Sequence, residues 1–107
     1  MFDLKSIQSA LSAFGFDGWL LYDFRGSNVL AQRILQMPHG FMASRRYFYF
    51  IPANGTPKKL VHRIESEALD HLPGDKVIYL RWQELEAAIE AIVGGRNNVA
   101  MEYSPRN

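Results

Sequence analysis

Cysteine is absent from this chain of 107 residues, and the chain also lacks a long hydrophobic run and a large net charge. Without cysteine there is no disulfide framework, no thiolate metal site and no cysteine nucleophile. No apolar run approaches the roughly 20 residues that a membrane-spanning helix needs, and the N-terminus lacks the basic start and apolar stretch of a signal peptide. A formal net charge of +1 gives no electrostatic reason to expect nucleic acid or an anionic membrane surface as a partner. These absences favour a cytoplasmic protein.

The composition is that of one ordinary globular domain. Hydrophobic residues make up 48% of the chain and charged residues 21%, which are typical fractions for a folded protein. An aromatic content of 13% argues against disorder. A chain of this length buries one core, so we expect a single domain.

One stretch, residues 16–28, organises the rest of the chain. Its centre, Trp19 to Tyr22, is a short apolar run typical of a strand buried on both faces. A polar cluster follows the run at once and consists of Asp23, Arg25, Gly26, Ser27 and Asn28. In open α/β sheets, ligands gather at the carboxyl ends of strands. The sequence therefore predicts that any binding site lies at this end of the first strand.

With this first strand included, the patterns predict three helices, one or two separate helical turns and five strands. The first half of the chain is predicted to contain a helix capped by Asp3 and ended by Gly15, the strand Gly18 to about Asp23, one or two helical turns over Asn28–Leu35, and a hairpin of Arg46–Pro52 and Lys58–Ile64. After the hairpin come a helix over Glu65–Leu72, a strand over Lys76–Leu80, a helix over Trp82–Val93 and a strand over Asn98–Glu102. The apolar face of the helix over Trp82–Val93 consists of Trp82, Leu85, Ile89 and Ile92. This order predicts an α/β fold with a mixed five-stranded sheet and helices on its faces, as in a ribonuclease-H-like arrangement.

The histidines and serines show no catalytic pattern. His39, His62 and His71 have no metal-ligand spacing, so we expect surface or capping roles for them and no metal site. Ser27 lacks the flanking glycines of a hydrolase nucleophile, and we interpret it as part of a turn or as a helix cap. The sequence therefore predicts no catalytic residue.

The carboxylates offer one alternative. Asp23 and Glu102 would come together only if the first and fifth strands ended side by side. Nucleases with a ribonuclease-H-like fold bind metal through carboxylates on such strands. A minimal nuclease is therefore a testable but weakly supported hypothesis.

Arginines cluster around the start of the second strand. Arg45 and Arg46 precede four aromatic residues, Tyr47 to Phe50, and Arg25 lies in the preceding loop. Because side chains alternate along a strand, we expect one aromatic pair in the core and the other under a helix, rather than a nucleic-acid platform. An arginine at the strand entrance is suited to an anionic group such as a carboxylate.

Five segments together resemble a known family. They are Asp17 to Asn28, Arg45 to Pro52, Leu60 to Glu65, Tyr79 to Leu85 and Val99 to Pro105. The chain is similar, over nearly its whole length, to the N-terminal domain of Xaa-Pro peptidases (aminopeptidase P and prolidase) in the creatinase-type pita-bread metallopeptidase family. The resemblance implies that residues 1–107 form a creatinase/prolidase N-terminal domain with a ribonuclease-H-like fold.

What the resemblance implies about function is indirect. In the family this domain is not catalytic; it contributes to the homodimer and to the wall of the active-site entrance. Catalysis belongs to a pita-bread domain, expected beyond residue 107, that binds two divalent metal ions, manganese or cobalt. The resemblance thus implies no cofactor in this segment, and as partners a second copy, the chain's own catalytic domain and a peptide with proline at its second position.

The resemblance also implies a substrate contact. In some relatives an arginine of this domain contacts the carboxylate of the substrate, and Arg25, Arg45 and Arg46 are the candidates. The alternative is a stand-alone module that binds a small ligand or a protein through the loop from Asp23 to Ser44.

Overall fold

Five strands form one mixed sheet in the order β4-β3-β2-β1-β5. The computed structural model describes residues 2–23, 29–37, 46–96 and 98–102, without the side chains of Val29 and Glu102. The strands are β1 (Gly18–Asp23), β2 (Tyr47–Pro52), β3 (Lys58–His62), β4 (Asp75–Tyr79) and β5 (Val99–Glu102). Within this sheet β2 runs antiparallel to β1 and β3, whereas β5 is parallel to β1 and β4 is parallel to β3. The predicted five-stranded mixed sheet and its hairpin are confirmed.

The described residues include three α-helices: α1 (Leu4–Ala13) before β1, α2 (Val29–Ile34) between β1 and β2, and α3 (Trp82–Val93) between β4 and β5. The Asp3 carboxylate accepts a hydrogen bond from the Ser6 amide at 3.1 Å and so caps α1. Gly15, with φ at +79°, adopts the left-handed conformation that ends this helix. Both predicted helix signals are confirmed. In the described part of the chain, no helix is long and apolar enough to cross a membrane.

The sheet has a different core on each face. On one face, here called the α1 face, Leu11 of α1 and Leu35, which follows α2, pack with Leu21, Tyr49 and other buried residues. On the opposite face, the α3 face, Leu85 packs with Leu60 and Tyr79, with Phe48 partly buried beside them. The aromatic residues of β2 therefore alternate as predicted, since Tyr47 and Tyr49 enter the first core and Phe48 lies towards the second.

The segment between β3 and β4 differs from the prediction. A helix was expected over Glu65–Leu72, but the structure has a 3₁₀ turn over Arg63–Glu65 followed by successive turns. So short a helical pattern has little stability of its own, and here the backbone bonds are of the 3₁₀ type, as from the Ala68 amide to the Glu65 carbonyl and from the Leu72 amide to the Leu69 carbonyl. Side chains of the strands beneath then anchor the end of the segment. Lys59 Nζ donates to the Leu72 carbonyl at 2.8 Å, and the Tyr49 hydroxyl donates to the Pro73 carbonyl at 2.6 Å.

Helix α3 has the predicted bounds, but its first residue does not lie on the apolar face as predicted. Trp82 was expected on the apolar face, whereas it is 63% exposed. The capping interaction explains this, because Glu84 Oε1 accepts hydrogen bonds from the backbone amides of Leu80 and Arg81, both at 2.9 Å. The helix begins there, one turn before Leu85, which is the first residue buried against the sheet.

Two buried tyrosines on β2 have opposite hydrogen-bonding states. Tyr49 donates to the Pro73 carbonyl, whereas the Tyr47 hydroxyl is buried and has no hydrogen-bond partner among the described groups. Burial raises the pKa of both phenols far above 10.0, and for Tyr47 the nearby Asp23 carboxylate raises it further. A buried hydroxyl without a hydrogen-bond partner lowers stability. Removing the two hydroxyls separately therefore compares a hydrogen-bonded buried hydroxyl with one that has no such bond.

We expect Tyr47→Phe and Tyr49→Phe to have opposite effects on stability. Tyr49→Phe removes a hydrogen bond and should lower the free energy of unfolding by about 1 kcal/mol. Tyr47→Phe removes only an unpartnered hydroxyl and should leave that free energy unchanged or raise it by up to about 1 kcal/mol. Urea denaturation of both variants measures the difference, and a larger loss for Tyr47→Phe than for Tyr49→Phe would contradict this account.

The same tyrosines predict a loss of stability in alkali. In the unfolded chain their phenols ionise near the ordinary pKa of 10.0, whereas in the folded chain they stay neutral to higher pH. Stability is therefore full below pH 10.0 and falls above it, by about 1.4 kcal/mol per pH unit for each such group. Unfolding titrations between neutral and alkaline pH should show a shallower fall for the Tyr47→Phe/Tyr49→Phe double variant; an equal slope would refute the assignment.

Candidate functional site

One edge of the sheet holds Asp23, Arg46 and His62, which the sequence analysis considered. It is formed by the ends of β1, β3 and β4 and by the start of the antiparallel β2, and we call it the β1 edge. The register pairs Asp23 with Tyr47 across β1 and β2, and His62 with Tyr79 across β3 and β4. Side chains from four strands therefore meet at this edge.

Arg46 is held at the β1 edge by two tyrosines. Its Nε donates to the Tyr22 hydroxyl at 3.3 Å, and its carbonyl accepts a hydrogen bond from the Tyr79 hydroxyl at 2.6 Å. Tyr22 and Tyr79 are both buried, whereas the arginine is exposed. The backbone and the guanidinium of Arg46 are thus both fixed by side chains from neighbouring strands.

Aromatic rings extend beneath this arginine on the α3 face. The rings of Tyr22 and Phe48 stack with centroids 4.8 Å apart, and His62 meets the edge of Tyr79 at 5.1 Å. His62 Nδ1 also accepts the backbone amide of Ile64 at 3.0 Å. The result is an aromatic wall, rigid because its rings pack on one another, with one cation at its rim.

The opposite side of the β1 edge holds a buried carboxylate. Asp23 is 1% exposed, and its Oδ2 accepts a hydrogen bond from Gln32 Nε2 of α2 at 3.3 Å. Its strand partner is Tyr47, the residue with the unpartnered hydroxyl. Asp23 therefore ties β1 to α2 and lies under the helix, away from solvent.

Of the three candidate arginines, the structure describes one. Arg46 lies at the β1 edge as described, whereas Arg25 and Arg45 fall outside the described residues. The loop proposed for a binding module, Asp23 to Ser44, is described only at Asp23 and over residues 29–37. Its described part is α2 with the turn that follows it, where Arg33 is exposed.

The nuclease hypothesis requires that the strands of Asp23 and Glu102 lie side by side and that both carboxylates can be reached. Only the first condition is met. Strands β1 and β5 do lie side by side, with Leu21 opposite Glu102. Asp23, however, is enclosed beneath α2 and does not face solvent. A phosphodiester cannot reach a carboxylate buried in this way, so the geometry argues against a nuclease.

The histidines have structural contacts. His62 caps the 3₁₀ turn, as predicted, and His71 Nε2 lies 2.8 Å from the Leu35 carbonyl; His39 falls outside the described residues. Within the ranges that the structure describes, no three histidine or carboxylate side chains are placed to hold a metal ion.

Sequence reasoning did not identify the groups that position Arg46. Tyr22 was assigned to a buried strand and Tyr79 to a strand, with no function for either hydroxyl. The available signal is positional, because each tyrosine lies at the last or next-to-last residue of its strand. The strand order of the sheet was needed to show that both hydroxyls meet Arg46.

A concave surface lies at the edge of the sheet opposite the β1 edge. It is an open cleft of about 470 Å³ lined by Asp17, Ala53, Asn54 and Arg96, among others. Arg96 is already engaged there, since its Nη1 donates to the Ile92 carbonyl at 2.6 Å and its guanidinium lies over the Phe50 ring. The cleft therefore presents backbone and engaged polar groups rather than a set of converging side chains.

Comparison with known proteins gives a consistent result at the level of the fold. No family model and no curated protein matches the sequence. Among solved structures, the chain is similar to the creatinase/prolidase N-terminal domain of an X-Pro dipeptidase from Streptococcus pyogenes, with a TM-score of 0.68 and 18% identity over 97% of this chain and 78% of that one. The N-terminal domain of a Xaa-Pro dipeptidase from Lactobacillus brevis matches with a TM-score of 0.65 and 13% identity over 92% of this chain and 75% of that one.

The same fold also occurs inside a longer protein. The prolidase from Pyrococcus horikoshii matches with a TM-score of 0.62 and 17% identity over 94% of this chain, which spans 26% of the length of that protein. These similarities confirm the predicted α/β fold. The chain therefore has the fold of the creatinase/prolidase N-terminal domain.

Proposed function

We propose that this chain is the non-catalytic N-terminal domain of a metal-dependent Xaa-Pro dipeptidase or aminopeptidase. The observation that supports this most directly is the similarity over 97% of the chain to such a domain from an X-Pro dipeptidase. Peptide hydrolysis in this proposal belongs to a pita-bread catalytic domain beyond residue 107.

The domain would contribute to dimerisation and to the wall of the active-site entrance. Arg46, which is exposed at the β1 edge beside the buried rings of Tyr22 and Tyr79, would lie on that wall. The partners would be a second copy, the catalytic domain, and a peptide with proline at its second position. The two divalent ions, manganese or cobalt, would be bound by the catalytic domain, because the residues described here do not form a ligand set.

Arg46 is the candidate arginine that we propose to contact the carboxylate of a substrate. A guanidinium binds a carboxylate through charge-assisted hydrogen bonds, and fixing it in advance lowers the entropy lost on binding. The hydrogen bond from Nε to the Tyr22 hydroxyl orients the guanidinium, and the hydrogen bond from the Tyr79 hydroxyl holds the Arg46 backbone. Arg25 and Arg45 remain candidates on sequence position alone.

A stand-alone binding module is the alternative. The polar groups at the end of β1 support it, since this is the edge where α/β sheets bind ligands. The described part of its proposed loop, however, is α2, which packs into the core through Ala31. The similarity to prolidase N-terminal domains therefore favours the first proposal.

The size of the native protein distinguishes these two proposals. An antibody raised to this chain should detect, in the source cells, a band several times heavier than its own 12.3 kDa, because a catalytic domain would be attached. The isolated chain, supplied with Mn²⁺ or Co²⁺, should release no proline from alanyl-proline. A native band at 12.3 kDa would overturn the peptidase proposal and leave the binding module.

Replacing Arg46 should weaken binding of substrates that carry a free carboxylate. In the intact peptidase, Arg46→Gln should raise KM for alanyl-proline about ten- to hundredfold with a smaller change in kcat. That range follows from the roughly 1.5–3 kcal/mol of a hydrogen bond to a charged group and about 1.4 kcal/mol per tenfold change in affinity.

Two controls make the Arg46 experiment specific. Alanyl-prolinamide lacks the carboxylate, so the variant and the unmodified enzyme should turn it over with similar KM. Arg96→Gln removes an arginine at the opposite edge of the sheet and should leave KM for both substrates unchanged. Equal losses of Arg46→Gln on the acid and on the amide would exclude a carboxylate contact.

A further inference from the structure

The hairpin between β2 and β3 reverses direction at an asparagine followed by a glycine. Residues 53–55 form a bend rather than a hydrogen-bonded turn, and both Asn54 and Gly55 are exposed at its tip. Gly55 has φ at +109°, a conformation that glycine adopts readily and other residues rarely do. Because glycine has no side chain, nothing on Gly55 itself shields its backbone nitrogen from the Asn54 side chain.

The peptide bond between Asn54 and Gly55 is not held by the structure around it. Gln8 of α1 donates from Nε2 to the carbonyls of Pro52 and Gly55, each at 2.9 Å, and so clamps the hairpin on both sides of that bond. Among the described residues, neither the Asn54 side chain nor the Gly55 amide has a hydrogen-bond partner. The two neighbouring groups are therefore free to approach each other in the folded chain.

We propose that Asn54 is a site of spontaneous deamidation and isoaspartate formation in the folded protein. The Gly55 nitrogen, after its proton passes to water, attacks Cγ of Asn54. A carbon–nitrogen bond forms, the bond from Cγ to Nδ2 breaks, and Nδ2 takes up protons and leaves as ammonia. Neighbouring residues supply both reactants, so the attack is intramolecular and favoured by proximity.

Water completes the reaction by opening the cyclic imide. Opening at Cγ leaves aspartate at position 54, whereas opening at the main-chain carbonyl leaves isoaspartate, in which the main chain runs through the former side chain. The net change is one water consumed and one ammonia released, with nothing oxidised or reduced. Asn54 lines the open cleft at the edge of the sheet, so water has access to it.

Two comparable sites in the described part of the chain are held in place. Asn98 donates from Nδ2 to a backbone carbonyl at 3.3 Å, and β-branched Val99 follows it. Asp17 also precedes a glycine, but its carboxylate accepts the Asn98 amide at 3.0 Å, and that glycine is buried in β1. These contacts oppose ring closure at both sites, so Asn98 and Asp17 serve as internal controls for Asn54.

Isoaspartate at position 54 would act on the clamp between α1 and the hairpin. It lengthens the main chain by one methylene between the two carbonyls that Gln8 binds. One Nε2 group cannot keep both hydrogen bonds when the spacing of their acceptors changes. Because α1 also packs Leu11 into the core, loosening this clamp should lower stability.

Both products also add a carboxylate to the cleft. The new charge takes the formal net charge of the chain from +1 to zero, and Arg96 lines the same cleft. A chain without net charge associates more readily. The modification therefore combines a local loosening with a loss of charge repulsion, and both increase as the protein ages. The inference does not depend on the proposed function.

Ageing the purified chain at mildly alkaline pH tests the assignment. Tandem mass spectrometry of the tryptic peptide of residues 47–58 should show Asn54 losing its amide with time, while Asn98 keeps its own. Digestion in water labelled with heavy oxygen separates modification of the folded protein from modification during digestion. Isoaspartyl methyltransferase with S-adenosylmethionine, which forms a methyl ester on the isoaspartyl carboxylate, should label the aged chain and not the fresh one.

Three variants separate the site from its consequence. Asn54→Gln has a longer side chain that cyclises more slowly, so it should accept no methyl groups and keep its urea midpoint on ageing. Asn54→Asp, measured fresh, adds the charge without the extra methylene and should keep the clamp. Gln8→Ala removes the clamp: ageing should lower the urea midpoint of the unmodified chain towards that of fresh Gln8→Ala, and should lower that of Gln8→Ala little further.

Each failure points to a different step. An Asn54 amide that lasts as long as that of Asn98 would overturn the assignment of the site. Deamidation without a fall in the urea midpoint, or an equal further fall in aged Gln8→Ala, would overturn the link to the clamp. None of these results bears on the proposed function, which the native mass and the Arg46 kinetics test.

Discussion

The pairing of β1 with β2 is the constraint on which the rest of the structure depends. These are the two most central apolar strands, and six residues of each are paired, from Gly18 opposite Pro52 to Asp23 opposite Tyr47. A shift of one residue would exchange the two faces of β2 and turn its tyrosines towards α3. The same register brings Tyr22 beside Phe48 and next to Arg46, so the fold and the candidate site have one origin.

Local sequence signals predicted most of the helices and strands. Contacts between residues distant in sequence determined features that were not predicted. The bounds of α3 followed from its helical period and the two glycines after it, and β1 from a short apolar run behind Gly18. The segment 66–72 was mispredicted because so short a helical pattern has little stability of its own, and its backbone takes up 3₁₀-type hydrogen bonds instead. Three arginines looked alike in sequence, and for Arg46 the structure adds contacts with hydroxyls from two other strands.

Charge is distributed unevenly over this nearly neutral chain. At the start of β3 and β4 the lysines are paired with aspartates, whereas the arginines at their ends have no such ion pairs among the described residues. Arginine keeps its charge at any physiological pH and presents a planar set of donors to a carboxylate. The β1 edge is therefore suited to recognition, and the opposite end of the sheet to stability.

The pairing of β1 with β5 has a consequence for how the chain is made. Asp17, beside β1, and Asn98, beside β5, are hydrogen-bonded although 81 positions separate them in sequence. On the ribosome, β1 leaves the exit tunnel roughly 81 positions before β5, which is one of its two neighbouring strands. One side of this apolar strand therefore stays unpaired while the residues between them are translated, when it is open to aggregation or to chaperones. Completion of the sheet has to wait for β5.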